Sequence, residues 1–409
     1  MNVMTADLRS RFAAALSQMY GAEVPAYTTL VDVSTEVNRD HRGDDGLGSL
    51  ERVTAERHGA IRVGSPRELA DVADLFAAFG MYPVGFYDLR DAASPVPVVS
   101  TAFRPVDADE LAHNPFRVFT SMLATADSRF FGPELRARVD RFLGARELFD
   151  PELIATARTI AADGGCGTEQ ADEFVARAVS AFALSREPID AGWYGELSRV
   201  SAVAADIAGV RTTHVNHLTP RVLDIDELYR RMTARGIAMT RTIQGPPRTN
   251  GPDVLLRQTS FRALAEPRRF RDADGVVTEG TLRVRFGEVE ARGVALTPTG
   301  RDRYDAAMHS PDPASSWSDY FPSSHAELAA QGLAYYRGGD PTKPVVYEDF
   351  LPISAAGIFR SNLDGEPTSG PSTSSDAEND FGYDAAWLAG AIGQHVHDPY
   401  DLYEKAAAQ

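Results

Sequence analysis

The chain has one cysteine in 409 residues, Cys166. No intramolecular disulfide can form, and such cysteine usage fits a reducing cytosol. Cys166 lies in Gly164-Gly165-Cys166-Gly167 with no histidine nearby, which reads as an incidental loop thiol. Long apolar runs are also missing. None reaches the roughly 18 to 20 residues needed to span a bilayer. No apolar secretory core opens the chain. Instead Leu8, Phe12, Leu16, Met19 and Tyr20 recur at helical spacing with Arg9 and Arg11 between them, the pattern of an amphipathic surface helix. Positive charge is in deficit, with 41 Lys and Arg against 58 Asp and Glu and a net charge of -17. With no basic excess to neutralise phosphates, nucleic acid is excluded as a partner. These absences predict a cytoplasmic protein with no membrane partner.

What remains is ordinary for a globular enzyme: 43% hydrophobic and 24% charged residues. The length exceeds one compact core and predicts two subdomains or one large α+β unit. Ser65-Pro66-Arg67-Glu68 opens a helix as a capping box, with Leu69, Val72, Leu75, Phe76 and Phe79 as its buried stripe. Residues 81–87 and 96–103 read as strands. The stretch 114–197 reads as mostly helical, with Phe119, Met122 and Leu123 in its stripe. From Val210 a strand leads to Asp224, a helix cap with Glu227 at the capping-box position. Strands follow over 237–243, 254–261 and 281–292, so this unit reads β-α-β-β-β. The stretch from His58 to Phe103 reads similarly, as strand, helix, strand, strand. Two such halves, over 51–110 and 210–300, predict a cupped sheet around a central cavity, with a helical insertion over 114–200. Residues 365–376 are poor in hydrophobes and predict a flexible linker. It divides a single catalytic unit, 1–364, from a tail, 377–409, that docks as one short helix through Trp387, Leu388 and Ile392.

Two of the nine histidines, His214 and His217, stand three residues apart in the run Arg211 to Arg221. Neutral imidazole is a strong ligand for divalent transition metals. On a strand this spacing sends the two rings to opposite faces, so at most one reaches a shared metal unless a bulge intervenes. His58 opens the first strand of the other half. His58 and Arg62 share a face there, roughly 13 Å apart along the strand. A metal ligand at one end and a guanidinium fork at the other suit a substrate with a chelating head and a far carboxylate. Glu288 and Glu290 share a face of the last strand with Phe286 and Arg292. Two histidines and one carboxylate form the facial triad of non-haem Fe(II) oxygenases. Taken singly, each of these residues has an ordinary structural explanation. Spacing does not choose between His214 and His217, or between Glu288 and Glu290.

The wider motifs carry more. Arg57-His58-Gly59-Ala60-Ile61-Arg62, Asn216-His217-Leu218-Thr219-Pro220-Arg221 and Leu255-Leu256-Arg257-Gln258-Thr259-Ser260-Phe261 are three of them. Two longer ones run from Phe286 to Thr297 and from Tyr347 to Phe359. Together the chain resembles the 2-oxoadipate dioxygenase/decarboxylase (D-2-hydroxyglutarate synthase) family, across most of its length. The resemblance implies a vicinal oxygen chelate fold of paired βαβββ modules, with 345–363 completing the site. It implies Fe(II) held by His58, His217 and Glu288, which are also the catalytic set. It selects Glu288 over Glu290 because the last strand is similar to the Phe-x-Glu-x-x-x-Arg ending of 4-hydroxyphenylpyruvate dioxygenase. The 2-oxo diacid would meet Arg62, His58, His217 and Ile353 with Ser354 beside it. The implied reaction takes 2-oxoadipate and O2 to D-2-hydroxyglutarate and CO2, in lysine breakdown. A redox-silent metal lyase or isomerase on the same scaffold, and a non-catalytic small-acid binder, are the alternatives.

Overall fold

The computed structural model describes residues 2–41, 46–91, 95–351 and 382–409. Its strands are β1 (Asn2–Met4), β2 (Arg57–Val63), β3 (Tyr82–Asp88), β4 (Val98–Arg104), β5 (Arg117–Leu123) and β6 (Gly165–Gly167). They continue as β7 (Ile189–Asp190), β8 (Val215–Pro220), β9 (Leu256–Phe261), β10 (Glu266–Arg271), β11 (Val277–Leu282) and β12 (Gly287–Arg292). The fold is mixed α+β.

The largest sheet has the order β3-β4-β5-β2-β8. The helix Pro66–Ala77 links β2 to β3, with the Ser65 side chain accepting from the Glu68 amide as its cap. β5 returns parallel to β2. The first half is therefore β-α-β-β-β. In the second half, β8 leads to the helix Ile225–Ala234, capped by Asp224. β12 and β9 pair antiparallel. β12 also runs beside β8: the Phe286 amide donates to the Asn216 carbonyl (3.2 Å) and the Val222 amide to the Glu290 carbonyl (2.8 Å). β2 and β8 meet antiparallel at the centre, which brings His58, His217 and the glutamates of β12 onto adjoining strands.

Five expectations need correction. Arg117–Leu123 is a central strand rather than the start of the helical stretch. All seven of its residues are buried, so no in-out alternation marked it. The helices of that stretch begin at Pro133. Residues 237–243 make only isolated bridges, Met239 to Phe261 and, just beyond, Gln244 to Gln258. The expected strand over 281–292 breaks between Leu282 and Gly287, where the chain turns onto β8. The tail carries two helices, Ala385–Ile392 and Pro399–Ala407. Cys166 lies in strand β6, paired with Val3, rather than in a loop.

The N-terminal helix Thr5–Glu23 buries the expected stripe, but Arg9 is buried with it. The Arg9 guanidinium donates to the carbonyls of Phe79, Glu110 and Asn114, which satisfies it inside the protein. At the other end of the helix the Tyr20 hydroxyl is shared between the carbonyls of Asn216 (2.9 Å) and Phe286 (2.7 Å). The helix is thus a support for the two strands that carry His217 and Glu288.

Candidate metal centre

His58 is the second residue of β2 and His217 the third of β8, while Glu288 follows Gly287 at the start of β12. All three side chains are buried. One donor atom from each lies within 4.8 Å of the others. The His58 Nε2 is 3.5 Å from Glu288 Oε1, and the His217 Nε2 is 3.7 Å from Glu288 Oε2. These distances are longer than hydrogen bonds prefer.

The far nitrogens are already engaged. His58 Nδ1 faces Glu290 Oε2 at 3.0 Å. His217 Nδ1 is 3.0 Å from the Thr219 hydroxyl. Such partners fix a ring's orientation and leave its Nε2 for a cation. Glu290 is itself gripped by Arg292 at 2.7 and 2.9 Å. Burial pushes the Glu290 carboxyl up, but Arg292 and His58 outweigh it and hold it at about 2. Burial pushes Glu288 above the usual carboxylate range, only partly offset by His58. Burial, with His58 and Arg62, drives His217 well below its ordinary value, so its imidazole is neutral. Two converging nitrogens beside a buried carboxylate that resists standing alone as an anion are a donor set suited to a divalent cation. A 2-His-1-carboxylate set of this kind fits Fe(II).

Aromatic rings close the surroundings. The Phe350 ring meets His58 edge-on at 4.9 Å, and Phe286 stacks on His217 at 4.9 Å. Gln258 donates to Glu288 Oε1 from the neighbouring strand.

β8 does contain a bulge. Ala60 pairs with His217 and Ile61 with Val215, so Asn216 is the extra residue. The bulge turns His214 back to the side of Arg62. Both meet Asp206, from the helix Ala202–Ala208: Arg62 through Nη1 and His214 through Nε2 at 3.2 Å. Asn216 donates to the same carboxylate at 2.9 Å. His214 therefore joins the Arg62 cluster rather than the converging three. Asp206 was missed from sequence, since no spacing links it to the histidines; Thr219, two residues from His217 on the same strand, shares its face and could have been found by strand alternation. Ile353 and Ser354 lie outside the described residues.

Two substitutions probe this arrangement. Burial pushes Asp206 up, but His214 and Arg62 outweigh it and hold its carboxyl at about 2. The stability drawn from a lowered carboxyl is complete above its unfolded value of about 3.9 and is lost as pH falls through the folded value. Asp206→Asn is expected to be less stable at pH 7 by about 3 kcal/mol, with flatter denaturant midpoints between about pH 4 and pH 2. A wild-type acid profile in the variant would contradict the assignment. Gly287 has no room for a side chain, because a Cβ there would sit 1.9 Å from the Phe261 ring. Gly287→Ala is expected to cost about 1 to 3 kcal/mol by overpacking and to displace Glu288 beside it. An unchanged melting temperature and unchanged metal uptake would refute this.

A family model for 2-oxoadipate dioxygenase/decarboxylase matches residues 12–362. A Mycobacterium tuberculosis protein named 2-oxoadipate dioxygenase/decarboxylase is 71% identical over 411 residues, taking in 100% of this chain and 98% of its own. The crystal structure of hydroxyglutarate synthase from Pseudomonas putida in complex with 2-oxoadipate matches with a TM-score of 0.81 at 35% identity, over 100% of this chain and 97% of that one. A glyoxalase-superfamily protein from Ralstonia eutropha shares the fold at a TM-score of 0.54 and 20% identity, over 71% of this chain and 84% of its own. By the extent and identity of these matches, the chain belongs to the 2-oxoadipate dioxygenase/decarboxylase family.

Proposed function

We propose that this protein is an Fe(II)-dependent enzyme that converts 2-oxoadipate and O2 to D-2-hydroxyglutarate and CO2 in lysine breakdown. The observation that carries this reading is the convergence of His58, His217 and Glu288 in one buried cluster, in a chain whose solved Pseudomonas putida relative was crystallised with 2-oxoadipate. These three residues would hold the ion. Bound Fe(II) would supply the redox chemistry that joins loss of the carboxylate head to use of O2.

The chain's own residues do the rest. Glu290 and Thr219 hold the two imidazoles in orientation. Phe350 and Phe286 keep bulk water from the histidines. Arg62 holds the far carboxylate, and its place on β2 sets how far that carboxylate lies from the head. Ile353, with Ser354 beside it, would add a backbone contact to the substrate. The substrate supplies the electrons for its own oxidation, so no second 2-oxo acid is required. The β-α-β-β-β first half and the β8, β9 and β12 strands of the second are read as paired modules of the vicinal oxygen chelate type, a reading supported by the likeness to the glyoxalase-superfamily fold. A cytoplasmic location belongs to the same reading. Among the described residues no helix is long and apolar enough to cross a membrane.

The test is metal replacement. Stripped protein is reloaded with Fe(II) or Zn(II) and given 2-oxoadipate, and O2 uptake and acid consumption are followed together. Uptake matched to consumption with Fe(II) alone is expected. Consumption with Zn(II) and without O2 uptake would overturn the oxygenase reading in favour of a redox-silent lyase.

A further inference from the structure

The face of the large sheet that bears His58 is organised in rows by strand register. β2, β5 and β4 lie side by side in that order. His58 pairs with Arg117. Two residues along, Ala60 pairs with Phe119, which pairs with Ala102. Two residues further, Arg62 pairs with Ser121, which pairs with Ser100. Paired residues point to one side, and the side alternates along each strand, so the three rows share one face. The row at the metal donors is charged. The middle row is apolar, with an alanine on each side of a phenylalanine. The last row is polar, about 13 Å along the strand from the first.

The serines of the last row are 2% and 1% exposed, and their hydroxyl oxygens are 2.8 Å apart. One hydroxyl hydrogen bridges the pair. The second hydrogen has no acceptor among the described residues. Burying a donor without an acceptor is costly, and the alanines one row away show that this face accepts apolar residues. Arg62 in the same row is only part of an anion seat, because Asp206 takes its Nη1 and offsets its charge. A carboxylate offers about four lone-pair sites, more than a guanidinium already shared with Asp206 is placed to fill. Neutral donors in register with Arg62 suit the balance.

We infer that Ser100 and Ser121 complete, with Arg62, the seat of the substrate's far carboxylate, and that this hydroxyl pair sets the preference for a diacid. The inference rests on the function proposed above. The chelating head would lie at the His58 row, the methylenes over the alanines and Phe119, and the far carboxylate at the serines. Removing the hydroxyls weakens binding of a 2-oxo diacid and leaves a 2-oxo monoacid untouched.

The experiment measures anaerobic dissociation constants of the Fe(II)-loaded protein for 2-oxoadipate and for 2-oxohexanoate, which lacks the far carboxylate. Wild type, Ser121→Ala, Ser100→Ala and the double variant are compared, with melting temperature and iron content recorded for each. The double variant is expected to bind 2-oxoadipate about ten- to a hundred-fold more weakly, with 2-oxohexanoate and iron content unchanged. The single variants serve where the double variant does not fold, and each is expected to show a smaller shift of the same sign. A diacid preference equal to wild type in the serine variants overturns the seat and leaves the proposed function standing. A wild type that binds neither acid overturns both.

Discussion

A His217→Ala variant is expected to lose metal and turnover together, while His214→Ala keeps its metal. The two histidines are three positions apart and both buried, so composition and exposure are matched between the variants. Their surroundings are not. His217 Nε2 points toward Glu288, whereas His214 Nε2 faces Asp206. Loss of a residue that merely orients a ligand lowers metal affinity about 10- to 100-fold. Loss of the ligand itself is expected to exceed that upper figure, leaving less than about one hundredth of the activity. Iron content after desalting and O2 uptake with 2-oxoadipate give the readout. Stoichiometric iron in His217→Ala would remove it from the donor set. Glu288→Gln provides a second check, because the amide keeps the shape and the Gln258 contact surface but loses the anionic donor.

The next largest effect is expected at Arg62. It is 4% exposed and held by Asp206, so its guanidinium is fixed rather than searching. Arg62→Lys keeps the charge and loses the fork. Arg62→Met loses both and leaves Asp206 buried without its cation. Truncating one side of a buried charged contact costs about 2 to 5 kcal/mol, or roughly 30-fold and more in affinity. The cost is expected in KM for 2-oxoadipate, with the lysine variant intermediate. A general structural defect would lower kcat equally for 2-oxoadipate and 2-oxohexanoate. A shift confined to the diacid is the expected signature, and equal losses on both acids would count against a carboxylate-holding role.

Much of this was legible in the sequence because local signals and the global fold agree. Ser65 and Asp224 cap their helices through the Glu68 and Glu227 amides, where the capping boxes put them. His58 and Arg62 share the face that strand alternation gives them. Glu288 and Glu290 share a face too, and the two residues divide the work: Glu288 meets Nε2 of His58 and Glu290 meets Nδ1. No spacing rule could apportion those roles, since both edges of one ring are within reach of one strand face. The bulge at Asn216 left no mark in composition, yet it decides where His214 points. Arg117–Leu123 was hidden because a strand buried on both faces shows neither a period of two nor a period of 3.6. The ionic cluster behind the site was equally hidden. Arg117 joins Glu56 (2.6 Å) and Glu348 (2.7 Å), and Arg221 joins Glu56 (2.9 Å). Its paired members stand 61 to 231 residues apart in the chain, and only the closed fold makes them neighbours.

Glu-Val-Glu on β12 creates an ambiguity that Gly287 resolves. A slip of β12 by two residues keeps every side chain on its own face, so it would bring Glu290 to the place of Glu288 with no change in the apolar pattern. The same slip would carry Val289 to the place of Gly287, opposite Phe261, where even a Cβ would come within 1.9 Å of the ring. It would also pull the Arg292 guanidinium from the carbonyls of Tyr347 (2.9 Å) and Asp349 (3.0 Å). The glycine before the glutamate thus acts as a registration pin, rejecting a near-degenerate mispairing that would present the wrong carboxylate to the two histidines.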